Sequence, residues 1–247
     1  MKIVVGHLFP DYLNIYADRG NMAVLARRAA LRGHELEVAP IGAGGELRAA
    51  DLYYIGGGQD REQELIAPAL AAHGEALRAA VDGGAALLAV CGGYQLLGRF
   101  YRDQGGEELQ GVGLFPLHTI AGGRRMIGDV LLECELEDGE RRTLAGFENH
   151  AGRTYLGEGA EPLGRVLAGF GNDGESGYEG CRAGRAVGTY LHGPLLPRNP
   201  WLADWLLAQA IARQTGEAPV FEALDDELEA QAHEVASARA RARGGRF

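Results

Sequence analysis

Short apolar runs alternate with amphipathic segments through the first hundred residues, and this alternation constrains the fold more than any other feature. Runs of this length predict buried strands, and they lie at KIVVG, HELEVAPI, LYYI and AALLAV. A helical pattern at residues 20–32 and one or two helices over 63–82 separate them, and GGYQLLGRFY opens another helix. Because parallel strands need long crossovers, the pattern predicts an α/β fold with a mostly parallel sheet flanked by helices.

The pattern changes between residues 111 and 190, where no long helix intervenes. Glycine, Asn and Asp turns separate the strand candidates VGLF, DVLLECEL, TLAGFEN, GRVLAG and AVGTYL, which predict a more antiparallel, β-rich second half. A helix follows at WLADWLLAQAIARQ. A second helix, over 222–242, is poor in large apolar residues, so a solvated surface is favoured over docking on a partner. We predict a main domain over 1–215 and a C-terminal helical extension over 216–247.

Composition excludes several classes of protein. The 247 residues carry a net charge of −10, which argues against nucleic-acid binding. No apolar run approaches the roughly 20 residues of a membrane-spanning helix, and the first residues lack a secretory signal, so a cytoplasmic protein is expected. Three cysteines without C-x-x-C spacing predict neither a disulfide framework nor a metal site.

The segment AALLAVCGGYQLLG has the pattern of a nucleophile elbow. An apolar strand ends at Val90, Cys91 follows, and two glycines lead into a helix. Such a turn exposes the thiol at the carboxyl edge of a sheet, and the start of the helix favours the thiolate. The alternative is a buried structural cysteine, the usual fate of a free thiol. The two glycines favour the nucleophile, because they remove the Cβ atoms that would block a substrate.

Two further segments could complete a site around Cys91. In LYYIGGGQDREQ, three glycines after a strand can present backbone N–H groups as an oxyanion hole, although a glycine turn is a weak signal by itself. In AVGTYLHGP, a β-rich run ends at His192, which could act as the general base toward a thiol on a neighbouring strand. The alternative for His192 is a packing or surface role.

Together, the glycine loop, the C-x-G-x-Q elbow and the later histidine resemble class I glutamine amidotransferases of the cobyric acid synthase-like (CobB/CobQ-like) branch. The likeness extends over nearly the whole chain to the GatD-type glutaminase subunits of lipid II isoglutaminyl synthases. It is carried by NxYxDxGN (Asn14 to Asn21), IGGGQDREQ, CGGYQLLG, RMIGD, GFENHAGRTYLG and GTYLHGPLLPRNP. The resemblance implies a flavodoxin-like fold, with residues 1–215 as the amidotransferase domain.

The resemblance also implies roles for individual residues. Cys91 would be the nucleophile and His192 its base. Backbone groups at Gly57 and Gly92 would fit an oxyanion hole, and Gln95 falls where the class places a residue near the bound substrate.

Arg125, in the RxxGD block, matches the arginine with which the family recognises glutamine. The chemistry agrees, because a guanidinium fork binds the α-carboxylate of free glutamine through two directional hydrogen bonds. The alternative is one more solvated arginine, and the adjacent Arg124 is the obvious competitor.

The sequence departs from the wider class after the base. Many class I enzymes have H-x-E, in which the glutamate orients the histidine, whereas this chain has His192-Gly193-Pro194. The GatD-like branch shares this feature. The third member of the catalytic triad therefore stays open between a carboxylate on a partner and an internal one such as Glu148.

The resemblance finally implies an enzyme that works in a heterodimer. Its partner would be a MurT-type, Mur-ligase-like subunit that holds ATP and Mg²⁺, while this chain needs no cofactor. Ammonia from glutamine would amidate the α-carboxyl of D-glutamate in the stem peptide of a membrane-bound lipid precursor. The alternatives are another acceptor such as a corrinoid acid, a hydrolase or stress-response protein with a similar cysteine elbow, and an inactive scaffold.

Overall fold

A computed structural model describes residues 1–15, 19–136 and 139–243, and two six-stranded sheets form its frame. The first sheet has the order β2-β1-β3-β4-β12-β11. Its strands are β1 (Lys2–Leu8), β2 (Glu35–Ile41), β3 (Leu52–Ile55), β4 (Ala86–Val90), β11 (Cys181–Ala183) and β12 (Ala186–Thr189). All neighbours are parallel except β11, which runs antiparallel to β12 at the edge. The predicted α/β fold with a mostly parallel sheet is confirmed.

Helices cover both faces of the parallel sheet. α1 (Arg19–Leu31) connects β1 to β2, and α2 (Asp60–Asp82) connects β3 to β4 in the opposite direction along the sheet. Because such crossovers are right-handed, α1 and α2 lie on opposite faces. The short α3 (Gly92–Leu96) packs beside α2, and α4 (Pro200–Thr215) packs beside α1. The pattern over 63–82 is therefore a single helix, which contains Pro68.

The second sheet is built on a long antiparallel hairpin of β7 (Leu117–Glu135) and β8 (Arg141–Leu156). Four short strands complete it, namely β5 (Phe100–Arg102), β6 (Glu108–Gln110), β9 (Gly164–Ala168) and β10 (Tyr178–Glu179). Apart from the parallel pair of β5 and β7, the neighbouring strands of this sheet run antiparallel, which confirms the more antiparallel character predicted for the second half. The register of the hairpin shifts between Ala121 and Met126, and Arg125 lies in this irregular stretch.

Two predicted elements differ in the structure. The helix expected over GGYQLLGRFY ends at Leu96, and β5 begins at Phe100. VGLF, residues 112–115, forms no strand. Instead, Val112 and Phe115 donate backbone N–H groups to the carbonyls of Leu96 and Leu97, and both side chains are buried. An apolar run therefore indicated burial here but not strand pairing.

AVGTYL also differs from its prediction as part of the antiparallel half. β12 returns to the parallel sheet and pairs with β4, so that Thr189 lies opposite Val90. All four residues of β12 are buried. This burial suits an interior strand covered by helices on both faces.

The last helix, α5 (Glu227–Arg243), lies against the second sheet. Ala236 and Ala240 form a small apolar cluster with Leu131, Ala145 and Ala168. The outer face of α5 is exposed, as the solvated interpretation predicted, but its inner face packs on the chain itself. In the described ranges, no helix is long and apolar enough to span a membrane. Residues 16–18 of the NxYxDxGN block and residues 244–247 of the predicted extension lie outside the described residues.

Candidate functional site

A cavity of about 650 Å³ opens beside the carboxyl end of β4. In a parallel α/β sheet this is the edge where ligands bind. Both sheets contribute to its walls, which include Gly58, Gln63, Cys91, Gln95, Arg125, Asn149 and His150. Three of the predicted site residues, Cys91, Gln95 and Arg125, therefore line one cavity.

Cys91 has the backbone geometry of a nucleophile elbow. It directly follows β4 with φ 49° and ψ −109°, a conformation that costs a residue with a Cβ atom about 1–3 kcal/mol. Its N–H donates to the carbonyl of Thr189 over 2.8 Å, and its carbonyl accepts from the N–H of Gln95 over 3.0 Å. These bonds hold the turn, so that the thiol lies at the cavity wall.

The glycines next to Cys91 permit close contact between two loops. A Cβ atom at Gly57 would lie 3.3 Å from the Cβ of Cys91. A Cβ atom at Gly92 would lie 3.0 Å from the backbone N and O of Gly58. Gly57 and Gly92 thus both lie at the elbow, and their part in an oxyanion hole stays a prediction. Larger side chains would separate the loops.

His192 reaches the same edge from β12, which lies beside β4. Its backbone pairs with Phe147 of β8, donating over 2.9 Å and accepting over 3.2 Å, so it is held between the two sheets. Burial, with smaller contributions from His150 and Arg125, lowers the pKa of His192 to about 4. The imidazole is therefore neutral at pH 7, the form in which a general base accepts a proton.

The structure distinguishes Arg125 from Arg124. Arg125 lines the cavity, and its guanidinium donates from Nε to Oδ1 of Asn149 and from Nη2 to the carbonyl of Asn149, each over 2.9 Å. Arg124 is not among the cavity-lining residues of the described chain, and its carbonyl accepts from Arg153 over 2.8 Å. Arg125 is thus the arginine with a fixed orientation at the cavity.

Gln95 belongs to a buried chain of polar side chains. Its Oε1 accepts from Gln63 Nε2 over 3.1 Å, and its Nε2 donates to the hydroxyl of Tyr190 over 2.9 Å. A Cβ atom at Gly152 would clash with Nε2 of Gln95, so a larger residue there would displace the Gln95 amide. Both glutamines line the cavity, but sequence reasoning identified only Gln95. Gln63 is the last residue of the IGGGQDREQ block, and its place in that block is the sequence signal that could have identified it as a site residue.

The FENH segment places two ionisable groups at the cavity, His150 in its wall and the buried Glu148 next to His150. Glu148 accepts from the backbone N–H groups of Phe170 and Gly171 over 2.7 and 2.9 Å. Its Oε2 lies 3.7 Å from Nε2 of His150. The sequence analysis named Glu148 as a possible triad member and gave His150 no role. Among the described residues, no group of three or more His, Cys, Asp or Glu side chains could hold a metal ion.

Comparisons with known proteins agree with this geometry. A family model described as the CobB/CobQ-like glutamine amidotransferase domain matches residues 4–200. Subunit GatD of the glutamine-hydrolyzing lipid II isoglutaminyl synthase of Staphylococcus aureus is 38% identical over 97% of this chain and 96% of its own length. The corresponding Streptococcus pneumoniae subunit is 35% identical over 92% of this chain and 87% of its own length. A cobyric acid synthase of Pelotomaculum thermopropionicum is 35% identical, but over 61% of this chain and 31% of its own length.

Solved structures show the same fold at low sequence identity. PurLQS from Thermotoga maritima has a TM-score of 0.54 and 18% identity, over 78% of this chain and 88% of that chain. The glutaminase domain of Trypanosoma brucei CTPS has a TM-score of 0.54 and 11% identity, over 89% of this chain and 96% of that chain.

Proposed function

Because this chain belongs to the CobB/CobQ-like glutamine amidotransferase family, we propose that it is the glutamine-hydrolysing subunit of a lipid II isoglutaminyl synthase. The observation that carries the proposal is the extent of the likeness. The Staphylococcus aureus GatD subunit matches across 97% of this chain, whereas the cobyric acid synthase matches only part of it. The cavity with Cys91 at its wall supports the same chemistry.

The proposed reaction begins with transfer of the Cys91 thiol proton to His192. The thiolate attacks the side-chain amide carbon of glutamine, and the resulting oxyanion is stabilised by backbone N–H groups near Gly57 and Gly92. The C–N bond then breaks, and ammonia leaves with the proton returned by His192. Water, deprotonated by His192, hydrolyses the γ-glutamyl thioester to glutamate and regenerates the thiol. One glutamine and one water thus give one glutamate and one ammonia.

The walls of the cavity suit a free amino acid as substrate. Two of the five N–H groups of Arg125 bond to Asn149, and the remaining three can meet an α-carboxylate. Gln95 and Gln63 lie at the same cavity and offer amide groups to the polar end of the ligand. We assign Arg125 to recognition of the α-carboxylate and Gln95 to contact with the substrate.

The ammonia acceptor belongs to a partner in this proposal. A MurT-type, Mur-ligase-like subunit, with its own ATP and Mg²⁺, activates the α-carboxyl of D-glutamate in the lipid-linked stem peptide. The heterodimer acts in the cytoplasm, and ammonia converts the activated carboxyl to D-isoglutamine. No cofactor is assigned to this chain.

The partner also completes the catalytic triad in this proposal. The pKa of His192, at about 4, makes it a weak base in the isolated chain, and a carboxylate beside it would raise that pKa. Glu148 accepts hydrogen bonds from the N–H groups of Phe170 and Gly171 and lies 3.7 Å from His150. Because its contacts are with these groups, we favour a carboxylate of the ligase subunit as the third member of the triad. The isolated chain is therefore expected to be a poor glutaminase.

The decisive experiment combines this chain with a Mur-ligase-like subunit and measures D-isoglutamine formed in lipid II from glutamine or from ammonium. Cys91→Ser should abolish the glutamine-dependent reaction and leave the ammonium-dependent one. Cys134→Ser, at a buried cysteine outside the cavity walls, is the matched control and should support both. If amidation fails with both nitrogen sources but a corrinoid acid is amidated, the acceptor is wrong. If Cys91→Ser keeps glutaminase activity, the nucleophile is wrong.

A further inference from the structure

The walls of the cavity carry charged side chains of both signs. Among the described residues that line it, the arginines are Arg61 and Arg125, and the one carboxylate is that of Asp60. Free glutamine likewise carries two charges, a negative α-carboxylate and a positive α-ammonium. In the proposed function Arg125 meets the α-carboxylate, so the α-ammonium needs an acceptor of its own. A carboxylate compensates for the hydration that an ammonium group loses on binding better than a neutral oxygen does.

Asp60 is anchored at the cavity from the second sheet. It is the first residue of α2, in the segment that follows the glycine loop after β3. Its Oδ1 accepts a hydrogen bond over 3.4 Å from the hydroxyl of Tyr101, a residue of β5 that is 2% exposed. Among the described residues, the partner of this carboxylate is a neutral hydroxyl and not an arginine. Its charge is therefore available to a ligand.

Asp60 and Arg125 lie near the same hydroxyl. Burial raises the pKa of Tyr101, Asp60 adds to the rise, and the positive charge of Arg125 opposes it. Tyr101 also lines the cavity, and its strand runs beside β7, which carries Arg125. The α-carboxylate and the α-ammonium of an amino acid are attached to one carbon atom. Two groups that recognise them must therefore lie close together, as Asp60 and Arg125 do around Tyr101.

We propose that Asp60 binds the α-ammonium of glutamine, so that Asp60 and Arg125 together recognise the zwitterionic end of a free amino acid. The proposal deepens the proposed function and rests on it in taking glutamine as the substrate. Its consequence is selectivity. A glutamine residue within a peptide lacks both charges, and an amide without the α-ammonium leaves Asp60 unpaired in the cavity. A site built to bind a charged donor rejects ligands that lack it.

The test compares L-glutamine with glutaramate, the same molecule without the α-ammonium, as substrates of the complex with the ligase subunit. Ammonia release gives kcat and KM for each. We expect Asp60→Asn to lower kcat/KM for glutamine about five- to twentyfold, chiefly through KM, and not to lower it for glutaramate. Glu64→Gln removes a charge from the same helix outside the cavity walls, so it is the matched control and should change neither value. An equal loss with both substrates would overturn the proposal, and so would an unchanged value for glutamine.

A binding measurement separates this proposal from the proposed function. Calorimetry of the full-length Cys91→Ser chain, which lacks the proposed nucleophile, needs neither turnover nor a ligase. This chain should bind glutamine about five- to twentyfold more tightly than glutaramate, and adding Asp60→Asn should abolish the difference. Asp60→Glu keeps the charge and should keep part of the preference, which provides a second variant if Asp60→Asn does not fold. Glutamine binding that is insensitive to the charge at position 60 would overturn this proposal alone, whereas failure to bind glutamine would overturn the proposed function as well.

Discussion

Replacing Arg125 with alanine should weaken glutamine binding much more than replacing Arg124. The guanidinium of Arg125 is oriented by two hydrogen bonds to Asn149 at the cavity wall, so its remaining N–H groups can meet a carboxylate. A charge-assisted hydrogen-bonded pair is worth about 1.5–3 kcal/mol. Because Arg125 is exposed to solvent, the lower part of that range applies, about 1.5–2 kcal/mol. This predicts a roughly 10- to 30-fold increase in KM.

The assay is steady-state glutamate release by the complex, with kcat and KM determined separately. If Arg125 holds the bound substrate and the transition state equally well, its loss raises KM and leaves kcat nearly unchanged. Arg124→Ala should change KM less than about twofold. Arg125→Lys should give an intermediate value, because it keeps the charge but loses the planar fork. Equal effects of Arg124→Ala and Arg125→Ala on KM would refute the reasoning, since general positive charge would then be responsible for binding. A decrease in kcat with no change in KM would refute it as well.

Two predictions concern stability. Gly188→Ala places a Cβ atom against the buried Tyr94 ring, so it should lower the free energy of unfolding by about 2–3 kcal/mol and Tm by roughly 5–10 °C. Gly128→Ala, which has open space at the Cβ position, is the control and should lower it by less than about 1 kcal/mol. Calorimetry measures both variants. The folded-state pKa of His192 lies below its unfolded value of 6.5, so the unfolded chain binds more protons between these two values. Protonation of His192 should therefore lower the free energy of unfolding by about 3 kcal/mol as the pH falls from 6.5 to 4. Urea unfolding of His192→Gln should lack this part of the pH dependence, and an unchanged slope would contradict the assignment.

Features set by local sequence were predicted well. A strand such as β4 is visible as five consecutive apolar residues, and Cys91 with its glycines follows it directly. Burial and local periodicity are encoded in neighbouring residues, so most strands and helices of the parallel half agree with the structure. The same signal failed at residues 112–115, because an apolar run shows that a segment is buried but not which backbone groups it pairs with.

Features set by pairing between distant segments could not be predicted. The strand at residues 186–189 was recognised, and His192 was expected near a thiol on a neighbouring strand. The segment was nevertheless assigned to the antiparallel half, since a strand's own residues do not specify which sheet it joins. The environment of His150 depends on the register of β7 with β8 and on the packing of Tyr190 behind it. The bonds from Arg125 to Asn149 depend on the same irregular register near residue 121. Such contacts arise only when the whole hairpin has formed.

The adjacency of β4 and β12 has a consequence for how the chain becomes active during synthesis. The ribosome delivers Cys91 about a hundred residues before His192, and the long β7–β8 hairpin emerges between them. The place beside β4 stays unfilled until β12 is synthesised, so under the proposed mechanism Cys91 lacks its base in a nascent chain. Pairing of such distant segments is a slow step in folding. We therefore expect a chain that ends before β12 to release no ammonia from glutamine, so that activity under this mechanism waits for a nearly complete fold.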